Sequence, residues 1–417
     1  MNAITQFLAE HRSITRRYFL QQGLCGAAAL AAVRQVRGTE TSPQLAEAVK
    51  QLEPYFTPAD QFRDVSRGKP IPHTLSEEKR QAVGLTRETW RLEVIADRDN
   101  PTRLGRPMSR EAGTALDFAA LQVLGERYAV RFAKVMTCLN IGCPLGMGLW
   151  EGVPLREVIW RTQPREDLRR VFYYGYHNDD PQQMFRSSLP VGRVLEDPDD
   201  LPPVILCYKL NGQWLDPARG GPVRMVVPEA YGFKSIKWLT HVVLTNLPHA
   251  NDTYAGGNND VDSPLKTFAA AWLPDTIRVG APLAVTGYAQ VGQGGLSKVQ
   301  VWVQRADAEW PADDKYYERA PWQDAAILPS PTDWGAIPDG RVPPGTLGFD
   351  EATGRPTRWP MRWTKVHWAV LLPPLPEGEY VLRSRTVDAK GHAQPMPRPF
   401  RKSGHAAIEA LPFHVSS

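Results

Sequence analysis

Alternation of apolar and polar residues dominates the part of this chain that follows residue 265, and it limits what that part can fold into. Three runs place apolar side chains at every second position: residues 284–289, 297–304 and 380–388. A period of two is typical of half-buried β-strands. The glycine-rich segment 292–295 lies between the first two runs and predicts a hairpin that joins them. Strong strands between Gly and Pro turns predict a β-sandwich of immunoglobulin-like type over residues 265–417.

Residues 41–264 mix strand and helix patterns. The predicted strands are 88–95, 129–135, 171–176, 204–210, 223–228 and 236–239, and the predicted helices are 117–124 and 155–160. The polar, Pro-containing stretch 41–72 predicts an irregular arm that lies across this domain. The fold class is therefore expected to be α+β, with many non-local strands, followed by the sandwich. Residues 308–358 are rich in Pro and Trp with little periodicity, which predicts a long insertion over the surface.

A pair of arginines near the N-terminus predicts an export signal. Arg16 and Arg17 precede an aromatic residue, Phe19, and the small, apolar run 23–33. This combination is typical of a twin-arginine signal, a route that carries proteins already folded, often around a cofactor. Residues 1–40 are therefore excluded from the fold, and the protein is expected to be periplasmic.

Composition excludes several classes of function. A net charge of +4 is too small to indicate nucleic-acid binding. The sequence has no run of 18 or more apolar residues, so no membrane-spanning helix is expected. Of the four cysteines, Cys25 lies in the signal, and the odd number that remains argues against a disulfide framework. No Cys-x-x-Cys-His motif for covalent haem occurs.

The stretch from Val135 to Cys143 is the clearest chemical feature. It places the thiol of Cys138 in a turn-like segment after an apolar run, before the segment 150–155 that begins with Trp150. A soft thiolate at such a place can hold a redox metal. A free cysteine is more often a small buried packing residue, so the residues alone leave both interpretations open. Cys143 is the alternative ligand, and Cys207 lies in an apolar strand and is expected to pack.

An ordered series of motifs resembles the sulfite oxidase family of molybdopterin-dependent oxidoreductases, from about Trp90 to Pro395. The series comprises Thr137-Cys138, residues 150–155, 175–180 and 188–190, the Asn211-Gly212 segment 206–215, residues 221–228 with Pro-Val-Arg, residues 234–239 with Lys-Trp-Leu, and residues 287–289, 385–391 and 394–395. The resemblance implies one molybdenum held by a pterin dithiolene, oxo ligands and a cysteine sulfur. Cys138 stands at the position of that cysteine.

The same resemblance implies the cofactor-binding residues. The pterin phosphate needs fixed cations, for which an arginine offers a bidentate fork and a lysine a point charge. Donors and acceptors for the pterin are then expected among Asp179, Asp180, Ser188, Arg219, Arg224, Lys234 and Lys237. Arg219 stands where the family usually has a histidine.

Besides Arg219, one further departure from the family concerns the substrate. The family has an Arg-Asn-His motif shortly before a Pro-x-Pro motif. The matching stretch here, residues 66–72, lacks the histidine and has its arginine, Arg67, at a shifted position. The family also uses a tyrosine beside the metal, and the nearest one is Tyr254, whose phenol can hydrogen-bond a substrate oxygen. A loop tyrosine packed at the domain seam is the other interpretation.

The resulting hypothesis is a periplasmic enzyme that transfers an oxygen atom to a small sulfur oxyanion such as sulfite. Arg67 and Arg219 would neutralise the anion, and electrons would leave to an external carrier such as a cytochrome c. The resemblance also implies a homodimer. Two alternatives are a sulfoxide reductase that uses the same cofactor and a binding or scaffold protein without a cofactor.

Overall fold

A computed structural model describes residues 43–141, 143–257, 260–395 and 406–417. The predicted signal, residues 1–40 with Cys25, lies outside them and stays a prediction. Within this part of the chain the α-helices are α1 (Pro43–Lys50), α2 (Glu77–Ala82), α3 (Phe118–Tyr128), α4 (Leu155–Ile159) and α5 (Val191–Leu195). None of the helices described there is long and apolar enough to cross a bilayer.

The strands form three sheets. Their bounds are β1 (Arg91–Ala96), β2 (Leu116–Asp117), β3 (Val130–Thr137), β4 (Pro144–Pro154), β5 (Arg170–Gly175), β6 (Arg186–Pro190), β7 (Ile205–Leu210), β8 (Gln213–Trp214), β9 (Arg224–Val226), β10 (Leu239–Thr245), β11 (Phe268–Trp272), β12 (Leu283–Gln290), β13 (Lys298–Arg305), β14 (Gln323–Ile327), β15 (Thr346–Leu347), β16 (Lys365–Leu372), β17 (Gly378–Val387) and β18 (Glu409–Val415). The strand orders are β2-β1-β10-β5-β6, β15-β3-β4-β7-β8 with β9 beside β7, and β11-β12-β16-β14-β13-β17-β18.

Helix α3 links the first two sheets through one hydrophobic core. Asp117 caps the helix, because its side chain accepts a hydrogen bond from the Ala120 amide at 2.8 Å. Leu121 is fully buried and packs in the same core as Val94 of β1 and Leu206 of β7. The predicted helix over 117–124 is confirmed and continues to Tyr128.

The C-terminal sheet curls around its own core. Strand β11 at one edge contacts β17 and β18 at the other, which makes the seven strands barrel-like. The three predicted alternating runs are confirmed as β12, β13 and β17. The predicted hairpin between β12 and β13 is wrong, because β12 pairs with β11 and β16. Gly292 instead allows its backbone to approach residue 265 closely, since a Cβ at Gly292 would lie 2.1 Å from the Leu265 carbonyl oxygen.

The segment 308–358 contributes strands to the C-terminal sheet and to the sheet that contains β3, so it is not a surface insertion. Its strand β14 bridges β13 and β16 near the middle of the C-terminal sheet. Its strand β15 pairs in parallel with β3 of the preceding sheet. Trp334 is only 2% exposed and packs in a core with Val135 and Met147. Sequence alternation could not show this, because most of the segment reaches the core through irregular backbone.

The N-terminal arm connects the C-terminal sheet to the end of β3. It begins as helix α1, where an irregular chain was predicted, and this helix packs on β12 and β16. The Phe56 amide then donates to the Trp334 carbonyl at 2.7 Å, and the Thr57 amide donates to Met147 at 2.7 Å. The Arg63 amide donates to Leu145 at 2.8 Å. This path delivers residues 62–72 to a cavity.

Candidate active site

A cavity of about 320 Å³ lies where the arm meets the ends of β3 and β5. Its walls come from segments that are far apart in the sequence: residues 62–72 of the arm, Met136 and 138–141 at the end of β3, Leu145 of β4, 175–178 at the end of β5, Gln183 and Phe185, Arg219 and Arg224, the loop 232–238 before β10, and Tyr254. Gly175 permits the close approach of two of these walls, because a Cβ there would lie 2.1 Å from the Lys237 carbonyl oxygen. The residues that bear chemistry are therefore far apart in sequence and adjacent in space.

Cys138 lines this cavity, and the other two described cysteines do not. It is the first residue after β3 and is partly exposed. Cys143 instead accepts a hydrogen bond from the Arg63 guanidinium at 3.1 Å. Cys207 is fully buried in β7, and burial raises the pKa of its thiol to about 12. Of the three thiols, Cys138 alone is placed to bind a group inside the cavity.

Three cations form one side of the cavity: Arg219, Arg224 and Lys237. The Arg224 guanidinium donates to the carbonyl oxygens of Arg219 and Ser235 at 2.8 and 2.6 Å, and Arg219 donates to that of Phe62 at 3.0 Å. Both arginines are buried, and each keeps a buried Nε atom without a hydrogen-bond partner among the described residues. A buried donor without an acceptor is costly, so these two atoms favour an anionic group as their partner.

Burial shifts the pKa values of the charged groups on this side of the cavity. It lowers the pKa of Arg224 to about 10. Burial and the charge of Arg224 lower the pKa of Lys237 to about 7, and Asp64 opposes them from 3.1 Å. Burial by itself would raise the pKa of Asp64, but hydrogen bonding by Ser66 and the charge of Lys237 bring it to about 2. Asp64 pairs with Lys237, and a bound phosphate would supply negative charge beside Arg219 and Arg224.

A second contact group surrounds Tyr254. Its phenol oxygen accepts a short hydrogen bond from the Arg67 guanidinium and one from the Asn140 side-chain amide at 3.2 Å. The Arg67 guanidinium carbon also lies 5.0 Å from the ring centroid of Phe185 and 5.3 Å from that of Tyr254. The rings of Phe185 and Phe233 pack edge-on against Tyr254, at 5.1 and 5.6 Å between centroids. The Arg67 guanidinium, the Tyr254 phenol and the Asn140 amide therefore meet at one point of the cavity wall, beside the rings of Phe185 and Phe233.

The structure does not bring four of the predicted cofactor-binding side chains to the cavity. Lys234 is fully buried and pairs with Asp252, and Ser188 donates to the same carboxylate. Asp180 is turned toward its own loop, where it accepts from the Gln182 amide at 2.9 Å and the Gln183 side chain at 3.0 Å. Asp179 is exposed at a positive φ of 55° and does not line the cavity.

Sequence reasoning missed several cavity residues, including Asn140, His177 and Trp238. Trp238 was assigned to a strand, whereas its φ of 52° places it in the left-handed region. Its indole nitrogen donates to the Pro217 carbonyl at 2.8 Å, and this contact keeps the loop against the cation group. Backbone strain of this kind cannot be read from alternation. The glycine that ends the aromatic strand β5 was the one sequence signal for a close approach here.

Comparisons with known proteins indicate the same class of cofactor. A family model described as an oxidoreductase molybdopterin binding domain matches residues 81–253. Sulfite oxidase of Gallus gallus is 34% identical over 133 residues, which is 30% of this chain and 28% of that protein. Residues 81–253 therefore form a molybdopterin-binding oxidoreductase domain similar to that of sulfite oxidases. An NADPH nitrate reductase of Beauveria bassiana is 28% identical over 131 residues, which is 31% of this chain and 14% of that protein. The chain thus spans less than a third of the length of either relative.

A solved structure extends the likeness in fold. The sulfane dehydrogenase SoxCD from Paracoccus pantotrophus superimposes with a TM-score of 0.53 at 16% sequence identity. The match covers 87% of this chain and 91% of that one. It therefore includes the C-terminal sheet as well as the molybdopterin-binding domain.

The residues of the cavity fit a molybdopterin cofactor. Cys138 provides the thiolate that a soft metal requires, and the unpartnered Nε atoms of Arg219 and Arg224 provide donors for a phosphate. Lys237 adds a positive charge beside them. These four residues would hold the cofactor.

Lys237 is expected to make the cofactor-free protein more stable as the pH rises above 7. Its pKa in the folded state is about 7, whereas an unfolded lysine titrates near about 10.4. Between these values the unfolded chain binds more protons, so the free energy of unfolding rises with pH, by at most about 1.4 kcal/mol per pH unit. Urea unfolding at pH 7, 8 and 9 should show this slope in the wild type relative to Lys237→Met.

The matched control is Lys390→Met, because Lys390 is exposed. That substitution should leave the slope of the wild type unchanged. Parallel curves for the wild type and Lys237→Met would show that Lys237 is charged throughout this range.

Proposed function

We propose that this protein transfers an oxygen atom to a small sulfur oxyanion, with sulfite as the leading candidate. The observation that carries the proposal is the group formed by Arg67, Tyr254 and Asn140, which shares one cavity with Cys138. Such donors suit the oxygens of a compact anion. The sulfite oxidase relatives and the sulfane dehydrogenase neighbour support a sulfur substrate.

The molybdenum cofactor, when bound, would supply two-electron oxygen-atom transfer. The side chains of this chain would bind and orient the substrate. Arg67 would neutralise the anion, and its stacking on Phe185 limits where the guanidinium can move. Tyr254 and Asn140 would donate hydrogen bonds to the substrate oxygens. Oxidation of sulfite with water gives sulfate, two protons and two electrons, which we propose pass singly to an external cytochrome.

Replacement of Arg67 by glutamine is expected to lower kcat/KM for sulfite by about 10–100-fold, since a hydrogen bond to a charged group contributes about 1.5–3 kcal/mol. Most of the loss should appear as a higher KM, because Arg67 binds the anion and not the metal. Tyr254→Phe should act in the same direction with a smaller effect. Steady-state reduction of cytochrome c by the purified holoenzyme measures both.

The control is Arg103→Gln, which removes an exposed arginine paired with Glu166 and Asp167 away from the cavity. It should leave kcat and KM unchanged. An unchanged KM in Arg67→Gln would remove the anion-binding role from this residue.

A sulfoxide reductase is the second candidate, because the rings of Phe185 and Phe233 beside Tyr254 offer apolar surface that an alkyl group would bury. Parallel assays of sulfite oxidation, methionine sulfoxide reduction and nitrate reduction discriminate between the reactions. Sulfite turnover at the level of a metal-free preparation, together with reduction of either other substrate, would overturn the proposal.

The remaining parts of the proposal concern location and assembly. Export by the twin-arginine route would place the enzyme in the periplasm, and Arg16→Lys with Arg17→Lys should retain it in the cytoplasm of its host. We also propose an α+β molybdopterin domain over residues 41–264, an immunoglobulin-like sandwich over 265–417, and a homodimer formed by that sandwich. Sedimentation equilibrium would test the oligomeric state.

A further inference from the structure

A buried cluster of polar groups lies behind Tyr254, and the cavity does not use it. Asp252 is at its centre, with a side chain only 1% exposed. Its carboxylate accepts from the Lys234 ammonium at 2.7 Å, from Ser187 at 3.1 Å, and from Ser188 through a short hydrogen bond. A buried carboxylate needs this set of donors, because burial without partners is strongly unfavourable.

The cluster is also tied to the sheet beneath it. The Lys234 ammonium donates to the Ser188 carbonyl at 2.8 Å, and the buried Tyr173 hydroxyl donates to the Lys234 carbonyl at 2.8 Å. Thr253 completes the attachment, since its amide donates to the Arg186 carbonyl at 3.0 Å and its hydroxyl accepts from the Arg186 amide at 2.9 Å. Strand β6 and the loop before β10 therefore hold Asp252 and Thr253 from two sides.

The same two segments form the wall around Tyr254. Phe233 precedes Lys234, and Phe185 lies just before Arg186 at the start of β6, and both rings pack on Tyr254. The Ala255 amide donates to the Asp252 carbonyl at 2.9 Å, which closes a turn with Tyr254 inside it. The orientation of Tyr254 therefore depends on where the buried carboxylate is held.

We propose that Asp252, paired with Lys234, is a positioning residue that holds Tyr254, and through it Arg67, in the orientation that binds the substrate anion. This inference rests on the proposed function for the identity of the anion. The positioning role explains why an ion pair is buried here, since an apolar pair of similar volume would often be as stable. It also accounts for Lys234 and Ser188, which lie away from the cavity.

The test uses the holoenzyme of Asp252→Asn, which keeps the shape of the side chain and removes its charge. Sulfate, the product expected from sulfite, serves as the probe, and its dissociation constant is measured by calorimetry. The expected result is an increase of about tenfold with an unchanged molybdenum content, because a displacement of about 1 Å in a positioning group has effects of this size or larger. Amide hydrogen exchange over residues 253–257 should become faster at the same time.

A double-mutant cycle separates positioning from a general loss of structure. In a Tyr254→Phe background, Asp252→Asn should weaken sulfate binding by less than twofold, because it acts through the phenol. An equal tenfold effect in both backgrounds would overturn the proposal. Lys365→Met is the matched control, since Lys365 is a 2% exposed lysine paired with Glu53 away from the cavity. It should lower stability without changing sulfate affinity.

Two further outcomes stay interpretable. Should Asp252→Asn fail to unfold cooperatively, Ser187→Ala removes one donor to the carboxylate and keeps its pairing with Lys234, and it should weaken sulfate binding about threefold. Unchanged affinity in Ser187→Ala would contradict the proposal. If the wild type neither oxidises sulfite nor binds sulfate, the proposed function fails, and hydrogen exchange over 253–257 still tests the positioning role. Exchange that Asp252→Asn leaves unchanged would refute that role.

Discussion

Replacement of Cys138 by serine is expected to abolish turnover of the holoenzyme. Cys138 is the described cysteine whose side chain lines the cavity, and a serine hydroxyl is a hard donor that stays protonated near neutral pH. The loss of kcat should exceed the roughly 10–100-fold typical for a residue that contacts a metal ligand, because we propose that Cys138 binds the metal directly. Turnover, molybdenum content and the visible absorption of the metal–thiolate bond are the measurements.

Cys143→Ser is the matched control for this experiment. Cys143 lies in the same connection between β3 and β4, but its sulfur contacts Arg63 and it does not line the cavity. Its replacement should leave turnover and absorption close to those of the wild type. Unchanged activity in Cys138→Ser, with a loss in Cys143→Ser, would transfer the ligand role to Cys143.

Replacement of Arg224 by methionine should remove the cofactor and destabilise the domain together. The guanidinium satisfies two buried carbonyl oxygens, those of Arg219 and Ser235, and carries one of the two buried Nε atoms without a hydrogen-bond partner that we propose bind a phosphate. Two unsatisfied carbonyls are expected to lower the free energy of unfolding by about 3 kcal/mol or more. Urea unfolding measures this change, and metal and pterin analysis of the purified protein measures the loss of cofactor.

Arg224→Lys should not rescue cofactor binding, because one ammonium cannot reproduce a fork that reaches both carbonyls and a phosphate. The surface control is Arg358→Met, which removes an exposed arginine paired with Asp200. Its effect on stability should stay within about 0.5 kcal/mol. Full cofactor content in Arg224→Met would exclude Arg224 from the phosphate site.

Within the candidate site, the residues predicted from motifs divide according to where their side chains point. Cys138, Arg219, Arg224 and Lys237 all line the cavity, and each stands beside a turn or strand end that the motif itself specifies. Lys234 belongs to the same motif as Lys237, but its side chain is buried and pairs with Asp252. Two lysines three positions apart in a loop point in different directions, and a motif records their presence but not their orientation.

Arg67 and Tyr254 show a second limit. Each was predicted from a motif that matches the family poorly, and nothing in the sequence joined one to the other. The structure places the Arg67 guanidinium against the Tyr254 phenol across 187 positions of sequence. The arm reaches that point by contacts with the C-terminal sheet and β4, which are long-range and leave no local pattern.

The sequence by itself determined the local conformations and the kind of chemistry. Alternation in β12, β13 and β17 and the capping residue of α3 act over a few neighbouring residues, so they can be read directly. Only the tertiary structure decided which strands pair in each sheet, the burial of Trp334, Phe349 and Trp363, and the partner of each charged side chain. Those outcomes depend on packing between distant segments, in which the burial of apolar surface and the pairing of buried polar groups outweigh local preference.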